Sequence, residues 1–412
     1  MSEVDGLLEH LFRHQYGAIV SRLVRVLGSG HMDFAEDAVH EAMLRALKAW
    51  PRRGVPGNAP AWLTRVAYHA AIDRLRRQRL AEYTTDFVES REAPEMEPLE
   101  DDELRMIFLC CHPAIARDSQ VALSLKIVAG LSALEIARAF RVDEVAVTRR
   151  LTRARRQIRE HGLALDTPPL SFERLSAVLD VIYFMFNEGY AALEGQDLIR
   201  RDLCFEALRL GQLIAASAVA TPRVHALVAL MALDAARLPA RTDELGDLIL
   251  LEQQDRQRWD HRLLALGLDH FRRAIGGDEH SRYHVQAAIA VAYAATPDLA
   301  AIDWRAILQL YDSLYAMDPS PIVALNRAVA LAKVEGPAAA LDAVEALRDR
   351  RAVRDYHLYV AVRGHLLQQL GRTRDAAECF RSALDMRCSE PERRFLLGKL
   401  AQCVDSAGIG NS

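Results

Sequence analysis

The sequence lacks several features that would assign it to a common class at once. No apolar run reaches the ~18 residues that a membrane-spanning helix needs. The N-terminus carries Glu3 and Asp5 where a secretory signal would be basic, so we expect a cytoplasmic location. The 6 cysteines include no Cys-x-x-Cys pair, which argues against a disulfide framework.

The motifs of common enzyme classes are absent as well. There is no His-Glu-x-x-His, no nucleophile elbow and no P-loop, so we expect no catalytic residues and no cofactor. Cys110, Cys111 and His112 form the one cluster that invites a metal, but no second Cys/His pair nearby completes four ligands. A buried helical segment is therefore the preferred interpretation, and no metal is expected.

Charge is distributed unevenly along the 412 residues, whose formal net charge is −4. Residues 82–103 hold 10 acidic residues and one arginine, whereas the rest of residues 1–160 holds 23 bases against 13 acids. The remaining chain is net acidic, with 28 bases and 33 acids. Two basic blocks around an acidic connector indicate a nucleic-acid partner for the N-terminal part only.

Residues 130–156 have the pattern of two helices joined by a tight turn. Ser132 and Glu135 have capping-box spacing, which predicts where the first helix begins. The second helix has one apolar stripe, which comprises Val147, Leu151, Ala154 and Ile158. Because this stripe faces the core, the arginines of the helix are predicted to point away from it; they are Arg149, Arg150, Arg153, Arg155 and Arg156. Such a face is either an ordinary solvated surface or, as the capped preceding helix favours, part of a helix-turn-helix.

The first 82 residues are predicted to be helical throughout. One predicted apolar stripe comprises Val20, Leu23, Val24 and Leu27, and another comprises Ala38, Ala42, Leu44 and Leu47. A break rich in proline and glycine at residues 51–57 precedes a helix that starts near Pro60. Trp62 stands at the beginning of this helix, either facing a ligand or anchoring the core.

The C-terminal part has a repeated pattern. The segment from Leu370 through Leu384 has tetratricopeptide spacing, and the segment from Val334 through Leu347 echoes it with a glycine offset of 35 residues. Alanine-rich positions allow close helix packing in a solenoid. An irregular helical bundle is the alternative.

Taken together, these blocks resemble a bacterial sigma factor of the extracytoplasmic-function (ECF) group within the sigma-70 family. Residues 33–46 are similar to the region-two helix that grips the clamp of core RNA polymerase, residues 61–77 to the helix that melts and reads the −10 promoter element, and the helix-turn-helix to the region-four module for the −35 element. His40 stands where the family usually has Gln. Asp143 and Glu144 stand at the start of the recognition helix, where many relatives have Pro and a small residue.

The resemblance implies three sets of site residues. The set for core-polymerase binding is Asp37, His40, Glu41 and Arg45. The set for −10 DNA is Gly57, Asn58, Ala59, Trp62, Arg65, His69, Arg74 and Arg77. The set for −35 DNA is Thr148, Arg149, Arg150, Thr152 and Arg153.

The C-terminal residues resemble the extension of one ECF subgroup, on segments 187–190, 248–256 and 320–328. That resemblance implies a tetratricopeptide-like domain that regulates the sigma modules in cis, with small DGPF-motif proteins related to the YCII family as companions. Asn187, Glu188 and Tyr190 either line a ligand or contact site or are satisfied inside the core. The acidic linker is either a tether or an extended polyanion occupying a channel built for RNA.

The predicted fold is all-α, with two small helical sigma domains and a C-terminal solenoid. We place region two at residues 1–82, the acidic linker at 83–103, region four at 104–162 and the extension at 163–412, with repeats near 303–400. The predicted function is promoter-specific transcription initiation without enzymatic chemistry. The alternatives are a conventional helix-turn-helix regulator that does not engage polymerase, and a peptide-binding scaffold whose basic segments are incidental.

Overall fold

The structure, a computed structural model, describes residues 3–81, 100–140, 142–165, 172–190, 199–296, 301–350, 353 and 356–406. The prediction of an all-α protein is confirmed, since the described elements are α-helices and short 3-10 turns. The chain divides into two compact units, the first extending to Met185 and the second beginning at Phe186. None of the described helices is long and apolar enough to cross a membrane.

Eight helices lie in the described part of the first unit. Their bounds are α1 Glu3–Leu27, α2 Met32–Arg53, α3 Ala59–Ala81, α4 Glu100–Cys110, α5 Arg117–Ile127, α6 Ala133–Phe140, α7 Glu144–Glu160 and α8 Phe172–Tyr190, of which α8 continues into the second unit. The bundle of α1, α2 and α3 buries the side chains of Ile19, Leu23, Val39 and Leu63.

The predicted apolar stripe on α2 is wrong at two positions. Leu44 is 56% exposed and Leu47 is 42% exposed, whereas Ala46 and Trp50 are buried. The buried side of α2 follows Ala42, Ala46 and Trp50 at four-residue steps, which leaves both leucines on the opposite side of the helix.

Helix α4 begins at Glu100, inside the segment predicted as the acidic linker. Asp102 and Glu103 are buried, and the Asp102 carboxylate lies 3.2 Å from the Arg25 guanidinium of α1. Cys110 and Cys111, at and just after the end of α4, are fully buried. The described residues contain no group of three or more His, Cys, Asp or Glu that could hold a metal ion, and most of the predicted linker, residues 83–99, lies outside them.

The second unit contains a series of helices. After the end of α8 their bounds are α9 Arg201–Ala215, α10 Pro222–Ala236, α11 His261–Ala274, α12 Arg282–Ala295, α13 Trp304–Met317, α14 Pro321–Glu335, α15 Pro337–Glu345, α16 His357–Gln369, α17 Thr373–Leu384 and α18 Glu390–Ser406. Gly336 and Gly371, the glycines of the predicted repeat, have φ of 91° and 75° and each lies between two helices. Both occupy a backbone region that favours glycine. The tetratricopeptide-like character of these helices stays a prediction.

Candidate functional site

One exposed face of α2 carries the residues predicted to bind polymerase. All four predicted residues are exposed, namely Asp37, His40, Glu41 and Arg45. The exposed side chains of Leu44 and Leu47 lie near them on this outer side. Arg45 donates to the Glu41 carboxylate one turn earlier. His40 donates from Nδ1 to the backbone oxygen of Glu36, 2.8 Å away. This face therefore combines apolar and charged groups.

The start of α3 is built by its cap and an aromatic pair. Gly54, at φ 79°, ends α2 with its N–H bonded to the Trp50 carbonyl, and the Asn58 side chain accepts from the Ala61 N–H at 3.0 Å. The half-buried Trp62 packs edge-on against buried Trp50, with ring centroids 5.5 Å apart. This contact favours the core-anchor interpretation of Trp62.

The remaining residues predicted to contact −10 DNA divide into buried and exposed positions. Ala59 is buried, so only its backbone is available to a partner. Exposed positions are Gly57, Asn58, Arg65, His69, Arg74 and Arg77. The Arg77 Nε donates to the Asp73 carbonyl one turn earlier, at 3.2 Å. Helix α3 thus presents a mainly basic outer face.

Asp37 of α2 and Arg74 of α3 join these two faces. Their side chains form an ion pair of 2.6 Å in which both partners are about half exposed. The Arg74 guanidinium also lies 5.2 Å from the centre of the Phe34 ring. A residue predicted to bind polymerase is therefore in direct contact with one predicted to bind DNA.

The predicted cap of α6 and the predicted apolar stripe of α7 are both present. The Ser132 hydroxyl accepts from the Glu135 N–H, and the Glu135 carboxylate accepts from the Ser132 N–H, at 3.1 and 2.7 Å, so the capping box is present. Asp143 caps α7 by accepting from the Ala146 N–H at 2.6 Å. The predicted stripe on α7 is buried in full, at Val147, Leu151, Ala154 and Ile158.

The arginines of α7 do not all face solvent. Thr148, Arg149, Thr152 and Arg153 are exposed, and both threonine hydroxyls donate to the carbonyl four residues earlier. Arg150 is half-buried and lies 3.3 Å from the Asp118 carboxylate of α5. The expectation that Arg155 points outward is wrong, because its side chain is only 17% exposed and forms ion pairs with α2.

Arg155 belongs to a buried polar network that the sequence reasoning missed. The Glu36 side chain is 7% exposed and accepts from Arg155, with the Tyr16 hydroxyl 3.3 Å and the Lys126 ammonium 3.7 Å away. Asp33 also lies 2.9 Å from Arg155. Burial, together with the Glu36 carboxylate, raises the pKa of Tyr16 well above its ordinary value.

A signal for this network was present in the sequence. Glu36 follows Met32 by four residues and precedes Val39 by three, which places it on the buried side of α2. A carboxylate at such a position needs a charged partner. The sequence does not show which of the many arginines supplies it.

Comparisons with known proteins find matches to several parts of the chain. Residues 11–81 match sigma-70 region 2, and residues 174–275 match a family of unknown function, DUF6596. An uncharacterized protein of Rhizobium meliloti (strain 1021) is 39% identical over 396 residues, which cover 92% of this chain and 93% of that protein. No solved structure matches this chain.

The ECF RNA polymerase sigma factor SigG of Mycobacterium tuberculosis (strain ATCC 25618 / H37Rv) is 28% identical over 223 residues. The match covers 48% of this chain and 55% of SigG. The fold and these matches define a sigma-factor-like protein. The chain belongs to the sigma-70 family, as a member of the ECF group with an additional C-terminal domain.

Proposed function

We propose that this chain binds core RNA polymerase through the exposed face of α2 and directs initiation at specific promoters through α3 and α7. The ion pair between Asp37 and Arg74 carries the proposal, because it makes the predicted polymerase face and the basic face of α3 one continuous surface. The protein contributes binding and positioning, and the bond-forming chemistry belongs to the polymerase.

The composition of the α2 face supports a protein partner. Leu44 and Leu47 are exposed apolar side chains, and Asp37, Glu41 and Arg45 supply charges around them. Protein interfaces combine an apolar centre with a polar rim. A helix that faced only water would not need two exposed leucines, although single exposed leucines are common.

The basic faces of α3 and α7 support a DNA partner. Arg65, His69 and Arg77 on α3 are exposed and available to phosphates and unstacked bases. Arg149 and Arg153 on α7 are exposed on the side opposite the buried stripe, where they can enter a major groove. We assign −10 recognition to α3 and −35 recognition to α7.

The second unit is assigned a regulatory role in cis. A domain joined covalently to the DNA-binding modules has a high effective concentration toward them, so even a weak contact is substantially occupied. The small DGPF-motif companion stays a prediction of the family resemblance.

The experiment is promoter-specific transcription by purified core polymerase supplemented with the full-length chain. Asp37→Asn and Arg74→Gln should each lower specific transcript by about tenfold, the effect of losing roughly 1.4 kcal/mol of binding. Neither should lower stability by more than about 1 kcal/mol, because the pair is exposed. Glu160→Gln is the matched control, since it removes an exposed carboxylate of the same unit whose ion pair, with Arg156, lies within α7.

Two outcomes would redirect the proposal. Specific DNA binding without any effect of core polymerase would identify a conventional helix-turn-helix regulator.

The regulatory role is tested with a shortened chain that ends at Tyr190. This chain retains α8, whose Asp180 pairs with Arg117 of the first unit. If this shortened chain initiates at the same promoters and level as the full chain, the second unit does not regulate.

A further inference from the structure

The proposed function leaves a cationic and aromatic cluster in the second unit without a role. The chain after α10 folds back along the end of that helix, because the Ile249 N–H bonds the Arg241 carbonyl and the Asp260 N–H bonds the Ala236 carbonyl, both at 2.9 Å. This return places Trp259 beside Arg237. Segments 187–190 and 248–256, which carry the resemblance to the ECF subgroup, both reach this place.

Aromatic rings and guanidinium groups contact one another in the cluster. Trp259 lies near two arginines, with its ring centre 5.7 Å from the Arg237 guanidinium and 4.8 Å from that of Arg256. The Arg241 guanidinium lies 3.7 Å from the centre of the Tyr190 ring. Each ring face attracts a cation, so the rings hold the guanidinium groups in fixed orientations.

One carboxylate serves two of these arginines. The Asp234 carboxylate lies 3.6 Å from the Arg237 guanidinium. The charges of Arg237 and Arg241 both favour the ionised form of this carboxylate. Burial nevertheless outweighs both cations and raises the pKa of Asp234. Burial also raises the pKa of Tyr190. These two groups are therefore partly removed from water, and charges interact more strongly there than at an open surface.

The hydrogen bonds of Arg237 and Arg241 to other groups go to neutral acceptors. Arg241 donates to the Tyr190 carbonyl, and Arg237 donates from Nε to the Gln254 side-chain oxygen at 3.4 Å. A neutral acceptor satisfies an N–H group without cancelling its charge. The Trp259 side chain adds an unused donor, because the residue is 4% exposed and its Nε1 has no hydrogen-bond partner in the described part of the chain.

We propose that Arg237, Arg241 and Trp259 form a binding site for a small oxyanion, carried by a carboxylate or a phosphate group. The guanidinium forks match the paired oxygens of either group, and the Trp259 Nε1–H supplies a further donor. Arg237 is 15% exposed and Asp234 is 24% exposed, so solvent reaches the cluster at these side chains. The second unit is then a ligand-responsive domain.

The test is calorimetric titration of the full-length chain with inorganic phosphate in one arm and succinate in the other. Chloride at matched ionic strength is the reference. We expect saturable binding in at least one arm, and the arm that binds identifies the source of the oxyanion. Absence of saturable binding in both arms overturns the proposal.

Three variants locate the site. Arg237→Gln should weaken binding by about tenfold or more, the effect of losing one charge-assisted hydrogen bond. Arg272→Gln, at an exposed arginine that pairs with Asp269 on α11, makes the same charge change elsewhere and should leave binding unchanged. Trp259→Phe keeps an aromatic ring but removes the Nε1–H, so it should weaken binding by about fivefold.

The variants also protect the test against misfolding. If Arg237→Gln does not fold, the conservative Trp259→Phe variant decides, and unaltered affinity in that variant overturns the site. An equal loss in Arg237→Gln and Arg272→Gln indicates general charge attraction and also overturns it. Binding is measured without polymerase or promoter, so failure here leaves the proposed sigma function untouched.

Discussion

The guanidinium of Arg155 on α7 bonds the carboxylate of Glu36 on α2, at a place where both side chains are largely buried. The helix proposed to read DNA is thereby tied to the helix proposed to bind polymerase. The tie lies on the inner side of α2, because Asp37 and Glu41, the acidic residues proposed to contact polymerase, are exposed on its outer side. Packing within the first unit and the proposed contact with polymerase therefore use different residues of the same helix.

Replacing Arg155 with Gln should destabilise the packing of α2 on α7 by about 3 kcal/mol, because it leaves the buried Glu36 carboxylate without its main partner. The cost lies at the lower end of the range for such losses, since the Lys126 ammonium remains 3.7 Å away. Hydrogen exchange of the full-length chain should show faster exchange at the amides of α2 and α7.

Arg156→Gln is the control for this prediction. Arg156 is adjacent on the same helix, but it is 64% exposed and pairs with Glu160, one turn away on α7. Its loss should change protection by less than about 1 kcal/mol. Equal protection in the Arg155 variant and the wild-type chain would show that the Arg155–Glu36 pair does not stabilise this packing.

Among the α7 arginines, Arg149 and Arg153 should contribute more to −35 recognition than Arg150. Both are exposed, and a bidentate contact to guanine is worth about 1–3 kcal/mol. Arg150 must first give up the Asp118 carboxylate, 3.3 Å away. Affinity for a duplex selected with the wild-type chain, measured for the three single Ala variants, checks this order. A loss in Arg150→Ala as large as that in Arg153→Ala would contradict it.

Local patterns predicted the cap of α6 and the buried stripe of α7 well. The stripe from Val147 to Ile158 and the capping box of Ser132 and Glu135 depend only on helix period and cap chemistry, which operate within a few residues. The break at residues 51–57 likewise predicted a helix that starts near Pro60, and α3 begins at Ala59. The assignment of these residues to promoter elements stays a prediction.

Long-range partners could not be predicted. The distinction between exposed Arg153 and paired Arg155 depends on Glu36, which lies 119 residues from Arg155. Leu44 and Leu47 were expected to share one apolar stripe with Ala38 and Ala42, yet the tertiary packing of α2 leaves them outside. Such choices are made when helices that are distant in sequence pack together.

The pair of His225 and His270 should make the second unit less stable in acid. Their Nδ1 atoms are 3.0 Å apart, so one must donate and the other accept, which fails once both rings are charged. Burial lowers the pKa of His270 from 6.5 to about 4, and the neighbouring His225 and Arg273 contribute to this lowering while Asp269 opposes them. The folded state therefore takes up this proton only near pH 4, whereas the unfolded chain takes it up near pH 6.5.

This contribution to stability is fully present above pH 6.5 and is lost as the pH falls toward 4. Thermal unfolding of the wild-type chain and of His270→Gln, measured at several pH values between these limits, checks the sign. The wild-type chain should lose more melting temperature on acidification than the variant does, because the variant lacks the titrating ring. Parallel pH profiles for the two proteins would rule out His270 as the cause.

Gly189 in α8 should not tolerate even a methyl group. A Cβ atom built there would lie 2.8 Å from the Cys204 nitrogen, 2.8 Å from the Leu203 Cβ and 2.9 Å from the Arg200 carbonyl oxygen, and none of these atoms can move away without shifting backbone. Gly189→Ala should destabilise the second unit by about 1–3 kcal/mol through overpacking.

Gly398→Ala is the matched control, because Gly398 is exposed in α18 and a methyl group there would meet no described atom within 4 Å. Since alanine is the better helix former, this control should gain about 0.5–1 kcal/mol. Thermal unfolding of both variants should therefore move in opposite directions, and stabilisation by Gly189→Ala would show that α8 does not approach Cys204 this closely.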